Sequence, residues 1–252
     1  MKIYVRVLYI MRILNVILIF VFLLMLYLLY VYFTSSRPLT GTHPANANIT
    51  IDASKTEQTN DVSNCTYSVW FYVSDWNYRY GETKTIFERK NNAGDTAISA
   101  AFDALQNNIN VDIMTYATTD GTSAGSSNVQ TPSPVLHQCK VDNVPLQRWV
   151  NLLISVYGRS MDIYIDGKLV RTCVLPGLAD VSSNKPISIT PGGGFQGFTS
   201  KFRYYSSPSN PQQAWNIYKE GFGGNMLGSL LNRYRVKISF LDNNVATSSY
   251  EI

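Results

Sequence analysis

The stretch SMDIYIDGKLVRTC, residues 160–173, sets Asp162 and Asp166 four positions apart with Tyr164 between them. Paired carboxylates are the chemistry of glycoside hydrolysis, one serving as acid and the other as nucleophile or base. Here the spacing argues against it. Alternate residues of a strand share a face, so Met161, Ile163 and Ile165 point inward and Asp162, Tyr164 and Asp166 outward. Four positions at about 3.3 Å each separate the aspartates by roughly 13 Å. A retaining pair needs about 5–5.5 Å and an inverting pair about 6.5–9.5 Å. Asp166-Gly167 is instead a hairpin signal, because both residues tolerate the positive φ of a type I′ turn. Residues 149–175 therefore read as three antiparallel strands, with the aspartates as turn and surface residues.

Other chemistry-bearing residues are sparse. GGGFQG matches a G-x-G-x-x-G spacing at Gly192, Gly194 and Gly197, but a dinucleotide site needs a helix directly after it and a β-rich run follows. The two histidines, His43 and His137, have no cysteine or acid at zinc-ligand spacing. Of the three cysteines, a Cys139–Cys173 bridge would close a loop of about 34 residues and contribute roughly 3–4 kcal/mol; three buried thiols are the alternative. Asn48-Ile-Thr and Asn64-Cys-Thr are glycosylation sequons, of which Asn48 is the better acceptor. DWNYRYGE, residues 75–82, offers Trp76, Tyr78 and Tyr80 as stacking surfaces for a sugar, with Asp75 and Arg79 as polar partners; covering the edge of a sandwich is the alternative role for those rings.

The elements that must position these residues are β-strands. From residue 65 onward, short β-branched and aromatic runs recur between Gly, Asn, Pro and Ser turns, as in TYSVWFYVS (66–74), INVDIMTYA (109–117) and FTSKFRYYS (198–206). That texture predicts an antiparallel sandwich or barrel. One short helix is expected over 210–221, with Asn210 as N-cap, Pro211 in the first turn and Gly221 as its stop. Residues 118–134 read as a long polar loop.

The N-terminal part is different in kind. Residues 1–12 form a short basic tail, and residues 13–33 are 21 residues without a charge. As a helix they reach roughly 31 Å, the thickness of a hydrocarbon core, with Tyr27, Tyr30 and Tyr32 toward one interface. Lys2, Arg6 and Arg12 precede the span and only Arg37 follows closely, so the positive-inside tendency puts the N-terminus in the cytosol as a single-pass anchor. Residues 34–64 read as a polar stalk in which NITID could add a first edge strand, and residues 65–252 as the folded domain. The net charge of +4 owes three positives to the segment before residue 34, leaving 18 basic against 17 acidic residues; such a balance gives no footprint for nucleic acid.

VPLQRWVNLLISVYGRSMDIYIDGKLV resembles the central signature of concanavalin A-like and laminin G-like domains: a tryptophan opening a strand, a tight turn, then a tyrosine–x–aspartate–glycine hairpin. GGGFQGFTSKFRYYSSPSNPQQAWNIYKEG resembles their closing pattern. The resemblance implies an all-β, antiparallel two-sheet jelly-roll sandwich. It also allows calcium at the rim, for which Asp95, Asp112 and Asp120 are the candidate ligands; turn formation is the alternative role of such isolated aspartates. Hydrolases of this fold carry a Glu-x-Asp-x-Glu strand, which this sequence lacks, so no catalysis is expected. Anchor, stalk and a sandwich opening CTYSVWFYVSDW resemble virion membrane or minor capsid proteins of large double-stranded DNA viruses. The expectation is a structural or interaction protein linking a membrane to a protein shell; a membrane-anchored lectin is the alternative.

Overall fold

A computed structural model describes residues 2–34, 38–56, 64–117, 134–180, 185–223, 237–242 and 245–251. The chain divides into two units, Met1–Arg37 and Pro38–Ile252. The first holds one helix, α1 (Lys2–Thr34). The expected basic tail is therefore not a separate segment: no Pro or Gly interrupts residues 2–34, and the helix runs through them. From Leu14 to Tyr30 every side chain is exposed, and Asn15 is the only strongly polar one. Among the described residues no helix is long and apolar enough to cross a membrane. The span expected over 13–33 thus does not follow from the fold and belongs to the functional proposal below.

The second unit is a two-sheet antiparallel sandwich. Its strands are β1 (His43–Pro44), β2 (Ile49–Ile51), β3 (Cys65–Asp75), β4 (Lys84–Lys90), β5 (Thr96–Phe102), β6 (Ile109–Ala117), β7 (Pro134–Val141), β8 (Trp149–Tyr157), β9 (Ser160–Ile165), β10 (Lys168–Val174), β11 (Gly177–Ala179), β12 (Ile187–Ile189) and β13 (Gln196–Tyr205). Helix α2 (Pro211–Lys219) follows, and β14 (Lys237–Asp242) and β15 (Val245–Glu251) pair as a separate hairpin. Sheet A runs β1-β13-β3-β8-β9-β10. Sheet B runs β6-β5-β4-β12-β2, with β7 and β11 both pairing with β6.

Alternation builds the core. In β3, Tyr67, Val69, Phe71 and Val73 point inward, and in β8 Val150, Leu152, Ile154 and Val156 do the same. From sheet B they meet a row in register, Phe87, Ala100, Val111 and Cys139. Edge-to-face rings tie the layers, with Phe71–Phe102 at 5.3 Å and Phe87–Phe202 at 5.4 Å between centroids.

Three sequence readings change here. The stalk of residues 34–64 is partly sandwich: β1 pairs with β13, β2 pairs with β12, and Ala45 and Ile51 are buried in the core. The Ile49–Ile51 alternation marks β2 in sequence as the possible edge strand, but the two residues of β1 carry no periodicity to be seen. PVLHQCKV, placed partly in a loop and otherwise unassigned, is strand β7; it starts on a proline at a sheet edge, where a missing N–H is tolerated. Tyr164 does face out of the sandwich, but only 1% of it is exposed, because α2 covers that face. The helix itself forms as expected. Asn210 accepts from the Gln213 N–H, the Gln213 side chain accepts from the Asn210 N–H, and Pro211 occupies the first turn.

Candidate functional site

The opening hairpin is structural. Asp166 and Gly167 adopt φ of 51° and 72°, as a type I′ turn requires. The Asp166 carboxylate accepts from the Asn151 N–H at 2.9 Å and pairs with Arg148. Asp162 accepts from Thr172 Oγ1 at 2.7 Å. A Cβ on Gly167 would stand 3.0 Å from Trp215 and Tyr218 of α2, so the turn also lets the helix settle on the sheet.

The segment 75–82 is largely committed to its own architecture. Asp75 accepts from the Asn77 N–H, and Arg79 binds Glu82 and the carbonyls of Gly192 and Gly194. Trp76 packs edge-on against Phe102, and the Lys84 ammonium lies 4.5 Å over its ring, so neither is a free platform. Burial, with Arg79 nearby, lowers the Lys84 pKa. Tyr78 is half-buried beside Gly193, and Tyr80, 61% exposed, is the ring of the three that stands open.

The rim acids are dispersed. Asp95 sits in the β4–β5 turn, where its N–H donates to Asn91; Asp112 is mid-strand in β6, accepting from Gln138 at 2.9 Å; Asp120 lies outside the described residues. Among the described residues no three His, Cys, Asp or Glu side chains are grouped to hold a metal ion. Cys139 and Cys173 are joined in a disulfide that ties β7 to β10, an edge strand of each sheet, while Cys65 is buried and free. Asn48 is exposed just before β2, whereas Asn64 accepts from the Gly158 N–H and precedes two buried residues.

A different constellation emerges on the outer face of sheet A. Phe198, Tyr72 and Trp149 are register partners across β13, β3 and β8, and Ser200, Trp70 and Asn151 form the next outward row. From the α2 side, Phe222 stacks on Trp149 at 4.3 Å and 10°, and Tyr218 on Trp70 at 5.6 Å and 19°. Tyr72 contacts Trp149 at 5.8 Å, and Trp215 contacts Tyr218 at 5.3 Å. The outer members remain in solvent, with Phe198 44%, Phe222 39% and Trp215 38% exposed. Arg148 precedes Trp149 in the chain and pairs with Asp166, and Gln196 stands two positions before Phe198 in β13. Contiguous exposed rings beside hydrogen-bonding groups can stack on the apolar face of a ligand and hold its hydroxyls at the border. Sequence alone does not reveal the ledge, because Phe198, Tyr72 and Trp149 are brought together only by strand register; strand alternation could flag Trp70 and Tyr72 as outward, nothing more.

The outer face of sheet B is its opposite. Thr50, Ser188, Glu88, Ser99, Asp112 and Gln138 are successive register partners and form a polar row across the sheet. Glu88 accepts from Thr96 Oγ1 at 2.9 Å. With Ser99 between them, Glu88 and Asp112 stand two strands apart, about 10 Å at an interstrand spacing of about 4.8 Å.

A family model described as the concanavalin A-like lectin/glucanases superfamily matches residues 44–214. No curated protein matches the sequence. Solved structures with a similar course include the botulinum neurotoxin serotype D binding domain, at 13% identity and a TM-score of 0.47 over 72% of this chain and 47% of that one. The receptor binding domain of the botulinum neurotoxin C/D mosaic serotype is similar at 15% and 0.44, over 68% and 37%. The binding domain of botulinum neurotoxin DC in complex with SialylT is similar at 14% and 0.44, over 67% and 36%. The chain thus spans less than half the length of these structures, and likenesses at this level carry no argument about function.

Proposed function

The chain belongs to the concanavalin A-like lectin/glucanases superfamily, and from that premise we propose that it is a non-catalytic, membrane-tethered glycan-binding protein. The observation that carries the ligand class is the aromatic ledge on sheet A, Phe198, Tyr72 and Trp149, with Arg148 next to Trp149 in the chain. The tether is α1. Its apolar side chains from Leu14 to Tyr30 are exposed, and each square ångström left in water forgoes about 25 cal/mol of burial. The sequence extends this run without a charge from Ile13 to Phe33, and lipid would cover it. The N-terminus would be cytosolic, with the sandwich on the far side, where a disulfide such as Cys139–Cys173 persists in an oxidising compartment. Absence of catalysis is part of the proposal: Asp162 and Asp166 are engaged locally, and Glu88 and Asp112 stand wide apart on an open face.

The test is a glycan array probed with the full chain in detergent micelles, with and without calcium. Binding that Trp149→Ala reduces is the expected outcome; no binding to any sugar would sink the reading. Extraction of membranes with alkaline carbonate tests the tether, and release of the protein into the supernatant would refute it.

A second reading is a structural protein joining a virion membrane to its shell. What favours it is strand β10, which pairs only with β9 among the described residues and leaves Leu169, Val170 and Val174 exposed along a sheet edge. Recovery of the protein from host membranes but never from purified particles would remove it.

A further inference from the structure

We propose that Phe222 is a displaceable ring that fills, from within the chain, a stacking subsite on Trp149 meant for a pyranose ring of the ligand. This rests on the glycan reading and adds the control of that site. The Trp149–Phe222 pair is closer and flatter than the ring pairs of the interior, of which the buried stacked pair Tyr67–Phe87 stands at 5.5 Å and 22°. Core contacts such as Phe71–Phe102 and Phe102–Phe195 meet edge-on at 87° with centroids 5.3 and 5.5 Å apart. Phe222 lies parallel on the indole at 4.3 Å and 10° and is itself 39% exposed. A flat ring laid on the outer side of a half-buried indole is also the arrangement that the C–H face of a pyranose would adopt.

The two partners are held very differently. Trp149 is fixed in β8, opposite Tyr72 of β3. Phe222 stands between Gly221, at φ +68°, and Gly223, and a Cβ on either glycine would meet nothing within 4 Å. Among the described residues nothing packs where a Cβ on either glycine would stand, and glycine leaves its dihedrals free; the ring itself also meets Trp70 at 6.1 Å and 60°. Two hydrogen bonds tie this tripeptide to the described residues: Gly221 N–H donates to the Tyr218 carbonyl at 3.0 Å, and Ser200 Oγ donates to the Phe222 carbonyl at 2.9 Å. Ser200 also shares a 2.9 Å hydrogen bond with Thr42 Oγ1, so its hydroxyl is oriented from the sheet side. An aromatic ring on a glycine hinge, with one serine hydroxyl as its latch, can swing away without disturbing α2. Arg148, the residue before Trp149, pairs with Asp166 and has further guanidinium N–H groups that can donate to sugar hydroxyls.

The experiment uses the full chain in detergent micelles, titrated with cellohexaose, maltohexaose and chitohexaose by calorimetry. Phe222→Ala removes the internal competitor and is expected to tighten binding about two- to tenfold. Ser200→Ala releases the latch and should tighten it by a smaller factor. With 4-fluorophenylalanine at position 222, the fluorine resonance should leave its ring-shifted position as sugar saturates the protein. If sugar binds and Trp149→Ala abolishes it, yet Phe222→Ala binds equally or more weakly, the displaceable ring is refuted while the ledge stands. A fluorine resonance that stays ring-shifted in the sugar complex refutes it in the same way. If neither wild type nor Phe222→Ala binds any of the three sugars, the glycan reading falls and this inference with it.

Discussion

The two outer faces of this sandwich are built by the same alternation and end up chemically opposed. On sheet A the outward positions include Trp70, Tyr72, Trp149, Leu153 and Tyr164 beside polar Ser68, Asn151 and Ser200, and α2 lies across part of them. On sheet B they are Thr50, Ser188, Glu88, Ser99, Asp112 and Gln138. An apolar outward row must be buried by something, and α2 supplies Ala214 and Ile217 for Leu153 and Tyr164. The helix is only nine residues long, so the row nearer the β3–β4 loop stays partly open. The lesson is that the candidate site is a by-product of incomplete coverage: one sheet face carries more aromatic surface than its helix can hide. The polar face needs no cover; on it Gln138 donates to Asp112 and Thr96 to Glu88.

The comparison can be broken most severely at Gly197, where β13 approaches β3 beneath the ledge. A Cβ there would stand 1.8 Å from the Tyr72 carbonyl oxygen. Gly197→Ala should cost more than about 4 kcal/mol in chemical denaturation of the full chain, or prevent folding; wild-type stability would show that the approach is not close. Next is the disulfide that joins an edge strand of each sheet. Cys173→Ala should cost about 3–4 kcal/mol for its 34-residue separation, read as a lower midpoint than the oxidised parent.

The interior between the faces sharpens the contrast through pH. Burial raises the Cys65 thiol from 9.0 to about 12, and burial, with Cys65 nearby, raises Tyr204 from 10.0 to about 12. Folded-state pKa values above the unfolded ones mean that this stability is complete below about pH 9 and is lost as pH rises toward 12. Melting temperature should therefore fall over that window, and Cys65→Val should lessen the fall; a parallel profile for the variant would contradict the assignment. On the ledge, Phe198→Ala should weaken sugar binding by about two- to tenfold in calorimetry while changing stability little. The smallest effect is expected on the polar face. Glu88→Gln with Asp112→Asn should shift stability by no more than about 0.5 kcal/mol and leave sugar affinity unchanged, and a loss of affinity would move the site to sheet B.

Much of the sandwich was legible because its signals are local. IDG at 165–167 specifies its own turn, and NPQQ at 210–213 specifies its own helix start. The chemistry of the site was less legible. Trp76, Tyr78 and Tyr80 looked like platforms because they cluster in sequence, but Trp76 is sandwiched between Lys84 and Phe102. Phe198, Tyr72 and Trp149 are scattered over 127 positions and meet only through pairing. The edge strand β2 was legible from the alternation of Ile49 and Ile51, whereas β1, of two residues, and β7, which opens on a proline beside the polar loop, were missed.

By itself the sequence determined the uncharged N-terminal run, the all-β domain, the Asp-Gly hairpin and the capped helix, because each depends on residues within one or two turns of each other. The tertiary structure alone decided which aromatic rings share a face, that Tyr164 is covered and that Phe222 lies on Trp149. Those relations are set by strand register and by where α2 comes to rest, and contacts between residues far apart in the chain leave no periodic trace in it.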